Sequence, residues 1–373
     1  MRLYSRRVSI RVMYDGESFL RHARGGIPRY LAELIGEFED DPALGITPVT
    51  PYKWVASRHL AERDRRFVEV PLPRQIRLPI LRRLNARRLR KVEPADIIHH
   101  SYYQPEAFGL WPGKRHITTV YDFIVERFPH VLPPGDDHIA RHTEVIQRAD
   151  AVICISETTR QDLHRFHPDY DKPVFTVPLG VGDSFFDPTP TKLPDLPAKY
   201  VLYVGNRTAH KNIDFLLEGY AELAKLHPDL HLVLVGAPGP TESDRINGLG
   251  IEPKTHRLRV SDAALPWIYR KASVLMYGSL WEGFGLPVVE AMASGCPVVI
   301  ADIDALTEVG GDATLVFEQE DRATLVDHLN RVLTNPDEAE RLRRAGLERA
   351  HHFTWRRTAE ETARVYEQIA GIP

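Results

Sequence analysis

The 373-residue chain has only two cysteines. Cys154 and Cys296 each sit in an apolar run, AVICIS and GCPVVI. The expectation is two buried structural thiols in a reducing compartment, too few ligands on their own for a zinc site. No stretch approaches the roughly 18 consecutive apolar residues that a membrane-spanning helix needs. The N-terminal MRLYSRRVSIRVMYDG is basic but has no long apolar centre, which argues against a secretory leader. Neither sign of charge is in excess: 48 Lys and Arg face 51 Asp and Glu, a net charge of −3. Nothing global therefore points to nucleic acid, whose phosphates demand neutralisation. Internal repeats and low-complexity tracts are absent. The expected location is the cytoplasm, with peripheral contact at the inner face of the cell membrane considered below.

What the chain does have is an ordinary globular composition, 43% hydrophobic and 27% charged. At roughly 150 residues per domain this length predicts two or three domains. Strand and helix patterns alternate. Strands are expected at Ser9–Met13, Asp96–His99, Ile117–Val120 and Ala151–Ile155, with a helix at Ile27–Phe38 and another after Ser156, a good N-cap. A stretch rich in Pro, Gly and Asp, Pro178–Pro194, reads as a linker. The alternation then restarts with strands at Tyr200–Val204, His231–Val235, Val274–Tyr277 and Pro297–Ala301. Helices are expected at Asn212–Leu226, Pro266–Lys271, Pro287–Ala293, Asp321–Leu333, Asp337–His351 and Arg356–Ile369. Such βαβ alternation implies parallel sheets covered by helices. The expected fold class is α/β, with two Rossmann-like domains, 1–180 and 181–355, facing across a cleft, where ligands of such sheets bind. The last helix, about 356–373, is a candidate to pack back on the first domain.

The segment with the clearest chemistry is EGFGLPVVE, Glu282–Glu290. It follows a strand that ends near Tyr277, and Pro287 opens a helix. Gly283 and Gly285 let a ligand approach the backbone. The amides of Phe284, Gly285 and Leu286, with Val288 and Val289, lie around a helix N-terminus, which suits a phosphate. Glu282 and Glu290 are placed to accept hydrogen bonds from sugar or ribose hydroxyls; a bland alternative is a glutamate that only serves the helix dipole. Upstream, YVGNRTAHKN runs from a strand into Gly205. There Arg207 and Lys211 flank a helix start, a setting for a diphosphate leaving group.

Together these segments resemble the retaining glycosyltransferases of family 4, which have the GT-B fold. The resemblance is densest from Tyr200 to Glu318: YVGN…HKN, LVLVG, LPWIYRKASVLMYGSLWEGFGLPVVEAMASGCPVV, and Glu308 before VGGDATLVF. Weaker matches are GGIPRY, IIHHSYYQP, VYDFIVERFP and AVICISE in the first half, and FTW near the end. The resemblance implies a hexosyltransferase that uses a nucleotide-diphosphate sugar without a covalent enzyme intermediate, with the acceptor bound by 1–180 and the nucleotide sugar by 181–355. It implies that Glu282 contacts the transferred sugar and Glu290 the ribose, and that Arg207 and Lys211 meet the diphosphate. Gly25 and Gly26 match the family's glycine loop, and Asp122 the aspartate of its His-Asp pair. Three positions depart: Tyr121 stands where many members have His, Asn206 follows Gly205 where Arg is common, and Gly278 stands for a proline.

No cofactor or metal is expected. Asp169-Tyr170-Asp171 and Asp302-Ile303-Asp304 match the short DxD pattern, which recurs by chance in a chain with 51 acidic residues. His99 and His100, at the end of an apolar strand, are candidates to line the acceptor cleft. Between Pro73 and Val92 stand eight basic and no acidic residues. The span 74–91 reads either as a surface for anionic lipid near a lipid-linked acceptor, or as a solvated helix face. The motif forms look most like bacterial transferases of surface polysaccharides, which favours GDP-mannose as donor and a glycan or lipid-linked oligosaccharide as acceptor. The alternatives are a UDP-sugar transferase acting on a small-molecule glycoside, a nucleotide-sugar epimerase, a phosphorylase (for which no distinct pyridoxal-binding lysine stands out), and a non-catalytic nucleotide-sugar-binding subunit.

Overall fold

The computed structural model describes residues 9–89, 95–187 and 195–371. The chain divides into two compact units. One runs to Gly180 and takes in the chain from Trp355 onward; the other is Val181–Thr354.

The first unit is built on six parallel strands, β1 (Ile10–Tyr14), β2 (Ile46–Val49), β5 (Ile97–His100), β6 (Arg115–Val120), β7 (Ala151–Cys154) and β8 (Val174–Thr176). They lie in the order β2-β1-β5-β6-β7-β8, and a separate two-stranded piece joins β3 (Trp54–Val55) to β4 (Val68–Glu69). β5 and β7 are buried along their whole length, as expected where helices cover both faces of a parallel sheet. Ser156 caps the following helix, its hydroxyl accepting from the Thr159 amide at 2.9 Å. The C-terminal helix Trp355–Ala370 belongs to this unit. Tyr366 packs against Phe38 of the helix Gly26–Asp40, and its hydroxyl lies 3.0 Å from that of Tyr14.

The second unit holds β9 (Tyr200–Val204), β10 (His231–Val235), β11 (Thr255–Leu258), β12 (Val274–Tyr277), β13 (Val298–Ala301) and β14 (Leu315–Phe317), all parallel. Their order is β11-β10-β9-β12-β13-β14. Counted from the first strand this is 3-2-1-4-5-6, the doubly wound arrangement, in which ligands bind beyond the carboxyl ends of the two central strands where the winding reverses. Here those strands are β9 and β12. Their helices, Ile213–Leu226 and Arg322–Thr334 among them, close one core through Leu216, Leu217, Tyr220, Leu325 and Leu329.

The division between the two units falls at Gly180, inside the segment expected to link them, and the residues that follow are packed. Val181 pairs with Thr354, and the Val181 amide donates to the Phe353 carbonyl at 3.0 Å. Phe185 is buried against Tyr269. Residues 188–194 of that stretch lie outside the described residues. The basic stretch forms a helix at Arg74–Leu89 that carries Pro79 inside it, while 90 and 91 lie outside the described residues. Among the described residues no helix is long and apolar enough to cross a membrane.

Candidate functional site

β9 and β12 end side by side, and the loops that leave them are stitched together. The Leu280 amide, after β12, donates to the His210 carbonyl, after β9, at 2.7 Å. Lys211 closes the same gap with its side chain, donating to Glu282 Oε1 at 2.5 Å and to the Tyr277 hydroxyl at 3.2 Å. Glu282 Oε1 also accepts from the Tyr277 hydroxyl at 2.8 Å and from Ser279 Oγ at 2.6 Å. All these bonds converge on one carboxylate oxygen, and the described residues give Oε2 no hydrogen bond. Burial pushes the Glu282 carboxyl up, but the Lys211 charge and the three donors outweigh it and hold the group below the usual carboxylate range. Beside it, burial and the Lys211 charge push the His210 imidazole down to about 4, so it is neutral near pH 7.

The helix Leu286–Ala293 starts at this spot. Its N-cap is Gly285, held at φ 110° with no side-chain cap. That backbone region is costly for other residues, and a Cβ there would meet Leu306 Cδ2 at 2.7 Å. The Val288 and Val289 amides both turn inward to the Gly285 carbonyl, at 2.9 and 3.4 Å. This corrects the expectation that they are free: the first turn closes on its own carbonyl. The amides of Phe284, Gly285 and Leu286 remain, and they donate to no acceptor among the described residues. Glu290 is buried one turn in, and its Oε2 accepts from the Tyr269 hydroxyl at 2.9 Å. Gly278 fits tightly for a different reason: Leu216 Cδ2 would lie 2.7 Å from a Cβ at that position.

Arg207 is placed elsewhere. Its side chain is 2% exposed and its Nε donates to Glu242 Oε2 at 2.5 Å, with the Glu242 side chain 1% exposed. The guanidinium also reaches the carbonyls of Gly205 and Val235, and lies 4.8 Å over the Tyr203 ring. It braces the ends of β9 and β10 instead of standing beside Lys211. The expectation that it meets a diphosphate is corrected by Glu242, a partner 35 residues downstream.

Sequence reasoning missed Tyr277, Ser279 and Tyr269, which hold the two glutamates. The available signal was a tyrosine as the last residue of the apolar strand VLMY, followed after one glycine by a serine. For the two DxD matches, Asp169, Asp171, Asp302 and Asp304 are all exposed.

In the first unit, Gly25 is the N-cap of the helix Gly26–Asp40, at φ 133° and without a side-chain cap. A Cβ there would meet only Pro28 Cδ, at 3.9 Å, so the backbone angle and not space calls for glycine. Asp122, half-buried just after β6, accepts from the Ile124 amide at 3.0 Å and opens the short helix Ile124–Arg127. Tyr121 is buried beside it, edge-on to Tyr30. His99 and His100 do not line an open surface, which corrects the expectation for both. His99 is fully buried between the Tyr366 hydroxyl at 2.6 Å and Thr119 Oγ1 at 2.8 Å. His100 is equally buried, between Asp15 at 3.2 Å and His116 at 2.9 Å.

The comparisons with known proteins bear on the family and the fold. Residues 190–349 match the family model described as glycosyl transferases group 1, and residues 24–185 match glycosyltransferase family 4. Together the two models take in most of the chain. The chain belongs to the family 4 glycosyltransferases. It is 28% identical to an Escherichia coli protein named O-antigen chain mannosyltransferase B, over 74% of this chain and 75% of that one. It is 32% identical to the MMP alpha-(1->4)-mannosyltransferase of Mycolicibacterium hassiacum, over 60% of this chain and 55% of that one. The chain thus spans little more than half the length of this second relative. Among solved structures, sucrose-phosphate synthase from Thermosynechococcus elongatus superposes with a TM-score of 0.75 at 20% identity, covering 98% of this chain and 100% of that one. That likeness shows the fold, GT-B. As a glycosyltransferase of this family, the chain carries both glutamates of the EGFGLPVVE segment at the switch point of its second sheet.

Proposed function

We propose that this glycosyltransferase moves mannose, with retention of configuration, from GDP-mannose to a hydroxyl of a glycan or lipid-linked oligosaccharide. The observation that carries the reading is the Lys211–Glu282 pair set beside three unbonded amides at an uncapped helix start. A diphosphate at this spot takes its hydrogen bonds from the Lys211 ammonium and the amides of Phe284, Gly285 and Leu286. Glu282 Oε2 accepts from a hydroxyl of the sugar, and Glu290 from the ribose. The bond from the anomeric carbon to the diphosphate breaks, the acceptor oxygen bonds to that carbon on the same face, and its proton passes to a departing phosphate oxygen. Preorganised donors stabilise the growing charge on the leaving group, and the pocket holds the reactants close. The leaving-group charge is met by Lys211 and the amides, so the reading calls on no metal. Mannose and a polysaccharide acceptor rest on the names of the two relatives.

The reading extends to an anionic membrane at the acceptor side. The helix Arg74–Leu89 contains six arginines and no acidic residue. Ile76, Ile80 and Leu84 lie on it at four-residue intervals and are 47%, 38% and 41% exposed. An apolar stripe flanked by cations suits the boundary of anionic lipid.

The test is a thermal-shift panel of GDP, UDP, ADP and dTDP with their sugars, on the native chain and on Lys211→Ala. A ligand at one hundred times its dissociation constant adds about 2.7 kcal/mol of stability. Stabilisation by GDP compounds, with turnover of GDP-mannose lost in Lys211→Ala, is the expected result. Stabilisation by UDP compounds alone moves the donor to a UDP-sugar. Binding without turnover on any acceptor favours a non-catalytic subunit. An unchanged rate in Lys211→Ala overturns the role given to Lys211.

A further inference from the structure

The first unit contains a second place built for an anion, which shares the helix Arg74–Leu89 with the membrane reading and no residue with the donor site. A cavity of about 310 Å³ is lined by Thr50, Tyr52, Lys53, Arg66, Phe67 and Arg88. Half of these side chains are cations and none is acidic. The Arg66 charge is already met by Asp64 and by Glu39, the latter at 2.5 Å. Lys53 and Arg88 have no carboxylate partner among the described residues; Lys53 only lies 5.7 Å over the Trp54 ring. The cavity wall therefore carries two unmatched positive charges. Tyr52 adds its ring to the wall; the residue is 3% exposed, and its hydroxyl is buried away from the cavity.

The walls are held before any ligand arrives. Asn85 is fully buried on the helix that carries Arg88, and its Oδ1 accepts from the amides of Lys53 at 2.8 Å and Trp54 at 3.3 Å. Its Nδ2 donates back to the Trp54 carbonyl at 2.7 Å. One amide side chain thus pins the helix to the loop that bears Tyr52 and Lys53. The Arg66 wall is tied to the same loop, because the Val68 amide donates to the Lys53 carbonyl at 2.7 Å.

We infer that this cavity binds a phosphate ester. Lysine and two guanidinium groups supply donors for phosphate oxygens. The rings of Tyr52 and Phe67 supply an apolar wall for the group esterified to it. The volume exceeds that of bare phosphate and sits at the small end of ligand pockets. The ester is either a soluble small molecule or the head group of an anionic lipid. The inference goes beyond the donor site and stands without it.

Two probes separate the sources: glycerol phosphate by titration calorimetry, and vesicles of phosphatidylglycerol in phosphatidylcholine by co-sedimentation. The variants are Lys53→Ala/Arg88→Ala, which empties the cavity wall of its unmatched charge, and Arg83→Ala/Arg87→Ala, which removes the same charge from the helix outside the cavity. Tyr52→Phe removes only the hydroxyl. The expected result is saturable binding of at least one probe, weakened tenfold or more in Lys53→Ala/Arg88→Ala and unchanged in Tyr52→Phe. Glycerol phosphate binding survives in Arg83→Ala/Arg87→Ala, and vesicle binding falls less there than in Lys53→Ala/Arg88→Ala, because the helix arginines also face anionic lipid. Response to glycerol phosphate assigns a soluble ester, and response to vesicles alone assigns a lipid head group. An unchanged nucleotide-induced thermal shift in each variant confirms an intact fold. Two results overturn the inference: no saturable binding of either probe, or equal losses in the two double variants, which would reduce the effect to non-specific attraction.

Discussion

The Arg207 guanidinium and the Glu242 carboxylate are both almost out of reach of water, and Arg257 adds a contact to Glu242 at 3.2 Å from the outer side. In such a pair each charge depends on the other. Removing Arg207 leaves Glu242 buried with only its longer contact to Arg257, and breaking a buried pair costs about 3–5 kcal/mol, whereas replacing both by apolar residues of similar volume is far milder. Arg207→Ala is therefore expected to lower unfolding stability by about 3–5 kcal/mol, and Arg207→Met/Glu242→Met by much less. Urea unfolding of both variants checks this. A loss of activity in Arg207→Ala with stability unchanged would instead put the guanidinium on the substrate. The sequence did not separate Arg207 from Lys211, since both are cations in one short turn. Their fates differ because Glu242 folds over the ends of β9 and β10 and captures one, while Glu282 meets the other. The second residue-scale prediction concerns Tyr366. Its hydroxyl lies within hydrogen-bond reach of Tyr14 and of His99 Nδ1, at 3.0 and 2.6 Å. Tyr366→Phe leaves those buried groups unpaired and is expected to cost about 1–3 kcal/mol, read by the same unfolding experiment.

At the scale of the element, β5 and β6 carry an unusual row of buried imidazoles. Burial first, and the neighbouring His100 second, push His99 down to about 3 and His116 down to about 4. A histidine in the unfolded chain titrates near 6.5. Between that value and the folded ones the unfolded state binds more protons than the native state. Stability is therefore expected to fall as pH drops from about 6.5 toward 4. Asp15 acts in the same direction lower down. Burial pushes its carboxyl up, but its bond to His100 and the charge there hold it below the usual range, so its contribution is lost as pH falls through that lowered value. Denaturant midpoints at pH 7.5, 6.0, 5.0 and 4.5 test the trend, and a midpoint flat from 7.5 to 5.0 would sink it. The strand itself was legible in the sequence, because an apolar run in βαβ alternation has few other solutions. The role of its histidines was not. Their partners Tyr366 and Asp15 lie 267 and 85 residues away, and no local pattern brings them together. β9, β10 and β12 were read to the residue for the opposite reason: they are continuous apolar runs with a glycine at or soon after the carboxyl end. The paired strands Trp54–Val55 and Val68–Glu69 were not seen, being two residues each.

At the scale of the whole molecule, the family resemblance divides the donor's contacts between two units, and only one share follows from geometry. The second unit brings Gly205–Asn212 and Gly278–Glu290 together through the Leu280–His210 and Lys211–Glu282 bonds. The glycine loop at Gly25 and Gly26 belongs to the first unit. Amide hydrogen exchange reads both at once, because a bound ligand slows local opening of the segments it touches. With the productive nucleoside diphosphate, protection is expected across 205–212 and 278–290, strongest at the amides of Phe284, Gly285 and Leu286 that have no acceptor of their own. The core of β5 and β7 should be unmoved, which serves as the internal control. If 205–212 and 278–290 exchange at the same rate with and without nucleotide, the donor lies elsewhere. The segment Gly25–Arg29 then decides what the resemblance alone implied. Protection there, seen only with the intact nucleotide sugar, would mean that the uncapped glycine of the first unit serves the same ligand as Gly285. Unchanged exchange there would confine donor recognition to the second unit and leave the positive φ of Gly25 to the geometry of its own helix start.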